Sequence, residues 1–335
     1  MMLCPKKGRG MRRRQFITAL GGAAAWPLVA RAQQLGKIFR IGVVCPISCE
    51  TSELRSFREA LAALGYKDGA NVVFEYRSAA GDLKRLPGLT DDLVRQNVDV
   101  IFTTFGTAAA LAAKRATASI SIVAGSAGDL VAAGIVESLN RPGGNITGVT
   151  SLLLELEGKR LQLLKEFLPD VSRIAFFRDT ANPYSVLAIE RVRTAAAQLG
   201  IELREIQVHE TTDVDQAFAE MVGDGLKALS VGAYIPLLAS RDRIVELAAK
   251  HRIAAIYTFR DFVDAGGLFS YGPNLSENAR RAAGLVGKIL GGVKPADLPV
   301  ERSTTVELVI NLKTANVLGL AVPPSIVARA DAVVE

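Results

Sequence analysis

Short polar stretches stand where apolar runs give way to helical patterns, and they hold most of the side chains able to engage a small molecule. Thr103-Thr104-Phe105-Gly106-Thr107 is one. Gly106 lets a backbone approach a ligand closely, and Thr107 opens a helix whose free N–H groups would suit a carboxylate. The same loop also reads as an ordinary strand-to-helix turn. Ser126-Ala127-Gly128-Asp129 occupies the equivalent place one unit later, with Ser126 as a polar contact and Asp129 as acceptor for a ligand ammonium or as a helix cap. Ser48 lies in Cys45-Pro46-Ile47-Ser48-Cys49, after the first strand pattern. In the second half Asn182-Pro183-Tyr184, Gly232-Ala233-Tyr234, Tyr257-Thr258-Phe259-Arg260 and Ser270-Tyr271-Gly272 complete the set. Asn182 offers an amide. Tyr184, Tyr234, Tyr257 and Tyr271 offer apolar walls for a ring, or else interface packing.

The apparatus of common α/β enzymes is missing. No G-x-G-x-x-G follows a strand, and neither the phosphate-loop pattern nor G-x-S-x-G occurs. The chain has two histidines. His209 ends a strand pattern beside Glu210, and His251 ends a helix pattern beside Arg252, where terminal carbonyls are the usual partner. No carboxylate pair stands out from the charge on helix faces. No catalytic residue, cofactor or metal is expected. Cys45 and Cys49 lack the further Cys or His pair that zinc would need; a disulfide and two free thiols both remain open.

These loops must be positioned by what lies between them. Strand patterns run at Ile38–Val44, Asn71–Tyr76, Val98–Thr103 and Ile120–Ala124, separated by helical patterns at Glu53–Leu64, Leu83–Gln96 (with a break at Pro87) and Thr107–Ala116. Asp129–Leu139 also reads as helix, and Arg141-Pro142-Gly143-Gly144-Asn145 reads as a turn leading into a crossover. A second series follows. Helices are expected at Gly158–Leu168, Tyr184–Leu199, Val214–Val222 and Ser240–His251, with strands at Arg173–Phe177, Glu202–Val208, Ala228–Val231 and Ala254–Tyr257. Repeated strand–helix alternation implies parallel strands with right-handed crossovers, and ligands bind such sheets at the carboxyl ends of the strands. Two series imply two α/β lobes. One is expected over 36–148 plus about 267–300, the other over 149–266 plus about 301–335.

Charge argues for a different reading of the first residues. The net charge of +6 invites a nucleic-acid partner, yet residues 1–32 hold seven basic residues and no acid; without them 33 basic residues stand against 34 acidic ones. Nucleic acid is therefore not expected as a partner. Arg12-Arg13-Arg14-Gln15-Phe16-Ile17 opens a small-residue apolar run ending in Ala30-Arg31-Ala32, the pattern of a cleaved export signal of twin-arginine type. The run Phe16–Ala30 spans roughly 22 Å as a helix against about 30 Å of hydrocarbon, too short for a retained anchor. Gln33 stands where a lipid anchor would need cysteine, and Met11 offers an alternative start. A periplasmic protein with a cleaved signal peptide is the expectation.

Several longer stretches resemble one family. They are Glu59-Ala60-Leu61-Ala62-Ala63-Leu64-Gly65-Tyr66, Val98-Asp99-Val100-Ile101, and Ser138-Leu139-Asn140-Arg141-Pro142-Gly143-Gly144-Asn145-Ile146-Thr147-Gly148. Phe262-Val263-Asp264-Ala265-Gly266-Gly267-Leu268, Lys294-Pro295-Ala296-Asp297-Leu298-Pro299-Val300 and Leu308-Val309-Ile310-Asn311-Leu312-Lys313-Thr314-Ala315 complete the match. The family is the ABC transporter substrate-binding proteins related to the tryptophan-binding TrpX type. The resemblance implies a type I periplasmic-binding fold: two Rossmann-like lobes joined by three crossovers in a multi-crossover hinge, with no catalytic residues. Members with known ligands take aromatic amino acids in the cleft. Gly106-Thr107 resembles the family's first-lobe ligand loop. Asp129 matches an Asp that usually precedes proline, where Leu130 stands here, and Tyr234 replaces a carboxylate in Gly232-Ala233-Tyr234-Ile235-Pro236.

The expected function is that of a monomeric periplasmic solute receptor. It would close on a small molecule, an amino acid or aromatic carboxylate, and deliver it to an ABC permease of the inner membrane. Closure must come from ligand contacts with both lobes. A sensor presenting its closed form to a membrane receptor would need the same surfaces. A periplasmic enzyme would need a base and a nucleophile that two histidines scarcely supply.

Overall fold

The structure is a computed structural model that describes residues 37–151, 153–179 and 183–335, with the side chains of 183 and 184 outside the description. The expected export signal, Asn182 and the side chain of Tyr184 therefore lie outside the described residues. The first lobe begins with β1 (Phe39–Cys45), α1 (Ser52–Ala63), β2 (Val72–Ser78), α2 (Leu86–Arg95), β3 (Val100–Phe105), α3 (Thr107–Ala116), β4 (Ser121–Ala127) and β5 (Ile146–Thr150). The second holds α4 (Leu153–Phe167), β6 (Arg173–Arg178), α5 (Pro183–Gln198), β7 (Glu202–Gln207), α6 (Val214–Gly223), β8 (Ala228–Val231), α7 (Ile235–Ala239), α8 (Arg241–Lys250), β9 (Ala254–Tyr257), α9 (Arg260–Asp264) and β10 (Phe269–Pro273). The remainder is α10 (Leu275–Leu290), β11 (Glu301–Arg302), β12 (Val306–Asn311), α11 (Leu312–Leu318), α12 (Pro324–Val327) and β13 (Ala332–Val334).

Two sheets result. Six strands order as β11-β5-β4-β3-β1-β2, and seven as β13-β12-β10-β9-β8-β6-β7. The central strands β3 and β8 are buried along their whole length, which is why they read as continuous apolar runs rather than alternating ones. The chain passes between sheets three times: after β5, between β10 and α10, and between β11 and β12. This is the expected multi-crossover hinge between two lobes with parallel sheets.

One pair departs from parallel pairing. β10 and β12 run antiparallel, Phe269 opposite Ile310 and Pro273 opposite Val306. The reason is topological. β10 leaves the second lobe at the hinge and β12 re-enters it there, with Asn274 N–H bonded to the Thr305 carbonyl at 3.1 Å, so the returning strand runs the other way.

The lobe boundaries need correction in the tail. β10 was expected in the first lobe, within about 267–300, but pairs with β9 and β12 of the second sheet. β11 was expected in the second lobe and instead pairs with β5 in the first. Between them α10 covers the first sheet. Its Ala279, Ala282, Ala283 and Val286 pack with Leu54, Phe57 and Leu61 of α1 in one buried cluster. Asn274 caps α10 by accepting from Glu277 N–H at 2.8 Å.

Asp129–Leu139 is not a helix. Asp129 Oδ1 accepts from both Val131 and Ala132 N–H at 3.0 Å, and Gly134 adopts φ +64°. The amides of Ile135 and Val136 then both turn back to the Leu130 carbonyl. An Asx turn followed by a left-handed glycine folds the segment into tight turns, which still bury Leu130, Ile135 and Val136. Arg141–Asn145 leads, through the short strand β5, to the first crossover.

Candidate functional site

Between the lobes lies a cleft of about 540 Å³. Its first-lobe wall is Pro46, Ile47, Ser48 and Glu50 after β1, Thr51, Ser52 and Glu53 at the start of α1, and Thr104 and Phe105 at the end of β3. Its second-lobe wall is Ile235 and Leu238 of α7, Arg241 and Asp242 of α8, and Asp261, Asp264 and Ala265 around α9, with Leu275 at the hinge. The strand ends and helix starts supply these groups, as an open parallel sheet requires.

The loop after β1 is fixed from several directions. Cys45 and Cys49 form a disulfide, which settles the alternative left open by their spacing. Gly81 and Ala80 N–H donate to the Pro46 and Ile47 carbonyls at 2.9 and 3.1 Å, and Ser78 Oγ also donates to Ile47. Thr51 caps α1, its Oγ1 accepting from Leu54 N–H at 3.2 Å. Ser48 is on the cleft wall, and its hydroxyl accepts from Glu50 N–H at 3.0 Å.

The lobes touch across the cleft. The rings of Phe105 and Phe259 meet edge to face at 4.8 Å between centroids, and Phe105 is buried within the second lobe's apolar cluster. Gly106, at φ +102°, sits where a Cβ would come 3.3 Å from Ile235 of the opposite lobe. The positive φ favours glycine here, and a side chain would also crowd the end of Ile235 across the seam. The chain is thus in a closed arrangement.

Glu53 is the most unusual group in the cleft. It is 5% exposed, and its Oε1 has no hydrogen-bond partner. Burial, with the Asp261 carboxylate across the cleft as the smaller cause, pushes its pKa from 4.5 up to about 8. Asp261 is also raised, chiefly by burial, although Arg241 and Arg260 oppose the shift.

The other expected residues fall into distinct places. Thr107 Oγ1 accepts from Gly128 N–H at 3.1 Å, tying two strand-end loops together. Ser126 is fully buried, not in the cleft; its hydroxyl meets Ser151 Oγ at 2.7 Å and accepts from Asn278 Nδ2 at 3.1 Å. Asp129 is exposed, its Oδ1 taken by the two backbone amides, and it borders a separate hollow of about 110 Å³ with Thr150, Ser151 and Arg302. Tyr257 is no cleft wall: it is 1% exposed and stacks on Phe262 at 4.7 Å. Tyr271 packs against the cluster beneath α4, and its carbonyl accepts from Arg160 Nη1 at 3.2 Å. Tyr234 is buried just before α7, with its hydroxyl lacking a partner and its pKa raised by burial. His209 Nδ1 lies 2.6 Å from Asp179 Oδ1, and no group of His, Cys, Asp and Glu suited to a metal occurs among the described residues.

Sequence reasoning overlooked Glu53, Asp261 and Arg241. Each looked like ordinary helix-face charge. For Glu53 a signal existed, since it precedes Phe57 by four and Leu61 by eight and so shares their buried face. Asp261 carried none, because α9 is a single turn too short for any period to show, and Arg241 stands as the first residue of α8, where it reads as ordinary helix-end charge.

Two parallel-rich α/β lobes, three crossovers and a cleft between the strand ends define a type I periplasmic-binding architecture. The chain belongs to the ABC transporter substrate binding protein family, whose model matches residues 40–334. It is similar to a tyrosine-binding protein of Clostridioides difficile (strain R20291), 28% identical over 266 residues that cover 79% of this chain and 76% of that one. Among solved structures it resembles an ABC domain from Streptococcus pneumonia in complex with L-Trp, with TM-score 0.81 and 24% identity over 89% of this chain and all of that one. It also resembles a ligand-free, open substrate binding protein from Clostridium difficile, with TM-score 0.64 and 25% identity over 89% of this chain and 99% of that one.

Proposed function

We propose that this chain is the periplasmic receptor of an ABC importer, taking an amino acid or aromatic carboxylate into the inter-lobe cleft and presenting the closed form to an inner-membrane permease. The observation that carries this reading is the cleft itself, polar on its walls and bounded by elements of two lobes joined by three chain crossings. A ligand touching both walls stabilises only the closed form, which is the condition for a ligand to drive closure. The relatives named for tyrosine and crystallised with L-Trp support an aromatic amino acid as the ligand. The basic, small-residue N-terminal segment supports export by a twin-arginine signal.

The test is a thermal-shift screen of tyrosine, tryptophan, other amino acids and aromatic acids, followed by calorimetry. Ligand at a hundred times its dissociation constant adds about 2.7 kcal/mol to stability. Binding of an aromatic amino acid without turnover, together with recovery of the protein in the periplasmic fraction, is the expected result. Conversion of a bound compound, or retention in the cytoplasm, would contradict it.

A further inference from the structure

The cleft is lopsided in charge. Among the described residues, Glu50, Glu53, Asp242, Asp261 and Asp264 line it against a single guanidinium, Arg241, whose Nε is already 3.5 Å from Asp242. Glu53 is the deepest of these carboxylates, and its Oε1 is left with no partner in the closed molecule. A buried carboxylate without a partner is costly unless a proton or a cation joins it. Asp261 comes from the opposite lobe, so closing the cleft while empty brings like charges together in a drying space.

Resting on the solute-binding reading above, we propose that Glu53 is the anchor for a ligand's primary ammonium group, with Asp261 as its second acceptor from the facing lobe, so that the cleft selects amines over plain carboxylates. An ammonium has three donors and suits carboxylates approaching from two sides. It turns the repulsion between the lobes into a bridge. That bridge exists only when the cleft is shut, so the amine supplies the differential affinity that closure needs. A proton is displaced as well. Glu53 holds one in the empty closed form below about pH 8. An entering ammonium stabilises the ionised carboxylate, so the Glu53 O–H bond breaks and the proton leaves to solvent as the ion pair forms. The groups bearing on this exchange are Glu50 on the loop before α1, Arg241 and Asp242 from α8, and Asp261, Asp264 and Arg260 from α9, the last acting on Asp261; Leu275 of α10 is apolar.

The experiment is isothermal calorimetry on the exported chain with four probes: L-tryptophan, tryptamine, indole-3-propionate and putrescine. Each is run at pH 6.5 and 8.5 in buffers of differing ionisation heat, with wild type, Glu53→Gln and Asp261→Asn. The expected result is that at least one amine probe binds more tightly than indole-3-propionate and releases a proton at pH 6.5. Its affinity should rise toward pH 8.5, and Glu53→Gln should lower it on the order of tenfold or more while abolishing the proton release. Asp261→Asn should weaken the same probe while leaving proton release in place. Putrescine binding that depends on Glu53, with no tryptophan binding, would uphold the amine anchor and remove the aromatic amino acid reading. Tryptophan binding that is unchanged in a folded Glu53→Gln protein would do the reverse. Binding of indole-3-propionate above every amine, wild-type binding without proton release at pH 6.5, or no binding of any amine would each overturn the proposal.

Discussion

Glu53 and Glu157 are both buried, one in each lobe, and their surroundings could hardly differ more. Glu157 shares α4 with Arg160 one turn on, and the two side chains, both fully buried, form an ion pair that Arg160 extends to the Tyr271 carbonyl. Glu53 faces acids, with its Oε1 unpaired. A charge whose partner lies in its own helix is part of the scaffold. A charge whose neighbours share its sign is stable only with something supplied from outside. The first lobe repeats the lesson in neutral groups: Ser126, Ser151 and Asn278 share hydrogen bonds in the interior, and Asp129 spends an oxygen on backbone amides.

The largest effect should come from breaking the paired site. Arg160→Met removes the guanidinium facing Glu157 in a dry core and should cost about 3 to 5 kcal/mol, read from the denaturant midpoint. Loss under 1 kcal/mol would mean that Glu157 is served equally well by other groups, and the contrast with Glu53 would weaken. Glu53→Gln should move stability the other way, and in a pH-dependent manner. Burial raises this carboxyl from 4.5 to about 8, so its contribution to the closed form is fully present below about pH 4.5, is lost as the pH rises through that window, and is gone above about 8. The glutamine variant should therefore be the more stable protein at pH 9, by on the order of 3 kcal/mol, with the gap gone at pH 5. Melting curves of ligand-free protein at the two pH values check both the sign and the closure of the gap.

Removing the disulfide by Cys45→Ser with Cys49→Ser opens a very short loop and should cost about 2 kcal/mol. Because that loop leads into α1, the change should also lower ligand affinity, which a matched pair of melting and calorimetry measurements separates. The smallest effect is expected at the other rim. Asp129→Ala loses the side-chain acceptor of the Asx turn, about 1 kcal/mol, and should leave the calorimetric affinity of the cleft unchanged. A clear loss of affinity there would relocate the ligand to the smaller hollow beside Thr150 and Arg302.

Much of the fold was legible because parallel strands buried on both faces print as apolar runs. Ala228–Val231, Ala254–Tyr257 and the helix Thr107–Ala116 coincide with their patterns. The tail was not, since β10, α10 and β11 alternate between lobes and hydrophobic pattern carries no record of which sheet a strand joins. The site was legible only as a region. Ser48 and the Thr104–Gly106 edge reach the cleft or its seam, but Tyr257 and Tyr271 went to packing, because an aromatic at a strand end looks the same whether a ring or a core covers it. Glu53 was hidden by its position in a helix's first turn, where acids are ordinarily placed for the helix dipole alone.

The late return of α10 to the first sheet sets an order of assembly. Leu54, Phe57 and Leu61 of α1 gain their cover from Ala279, Ala282 and Ala283 only when more than two hundred further residues have been synthesised. A nascent chain halted anywhere before α10 would display that greasy face to chaperones and to its neighbours. Completion of the first lobe is thus tied to synthesis of most of the second.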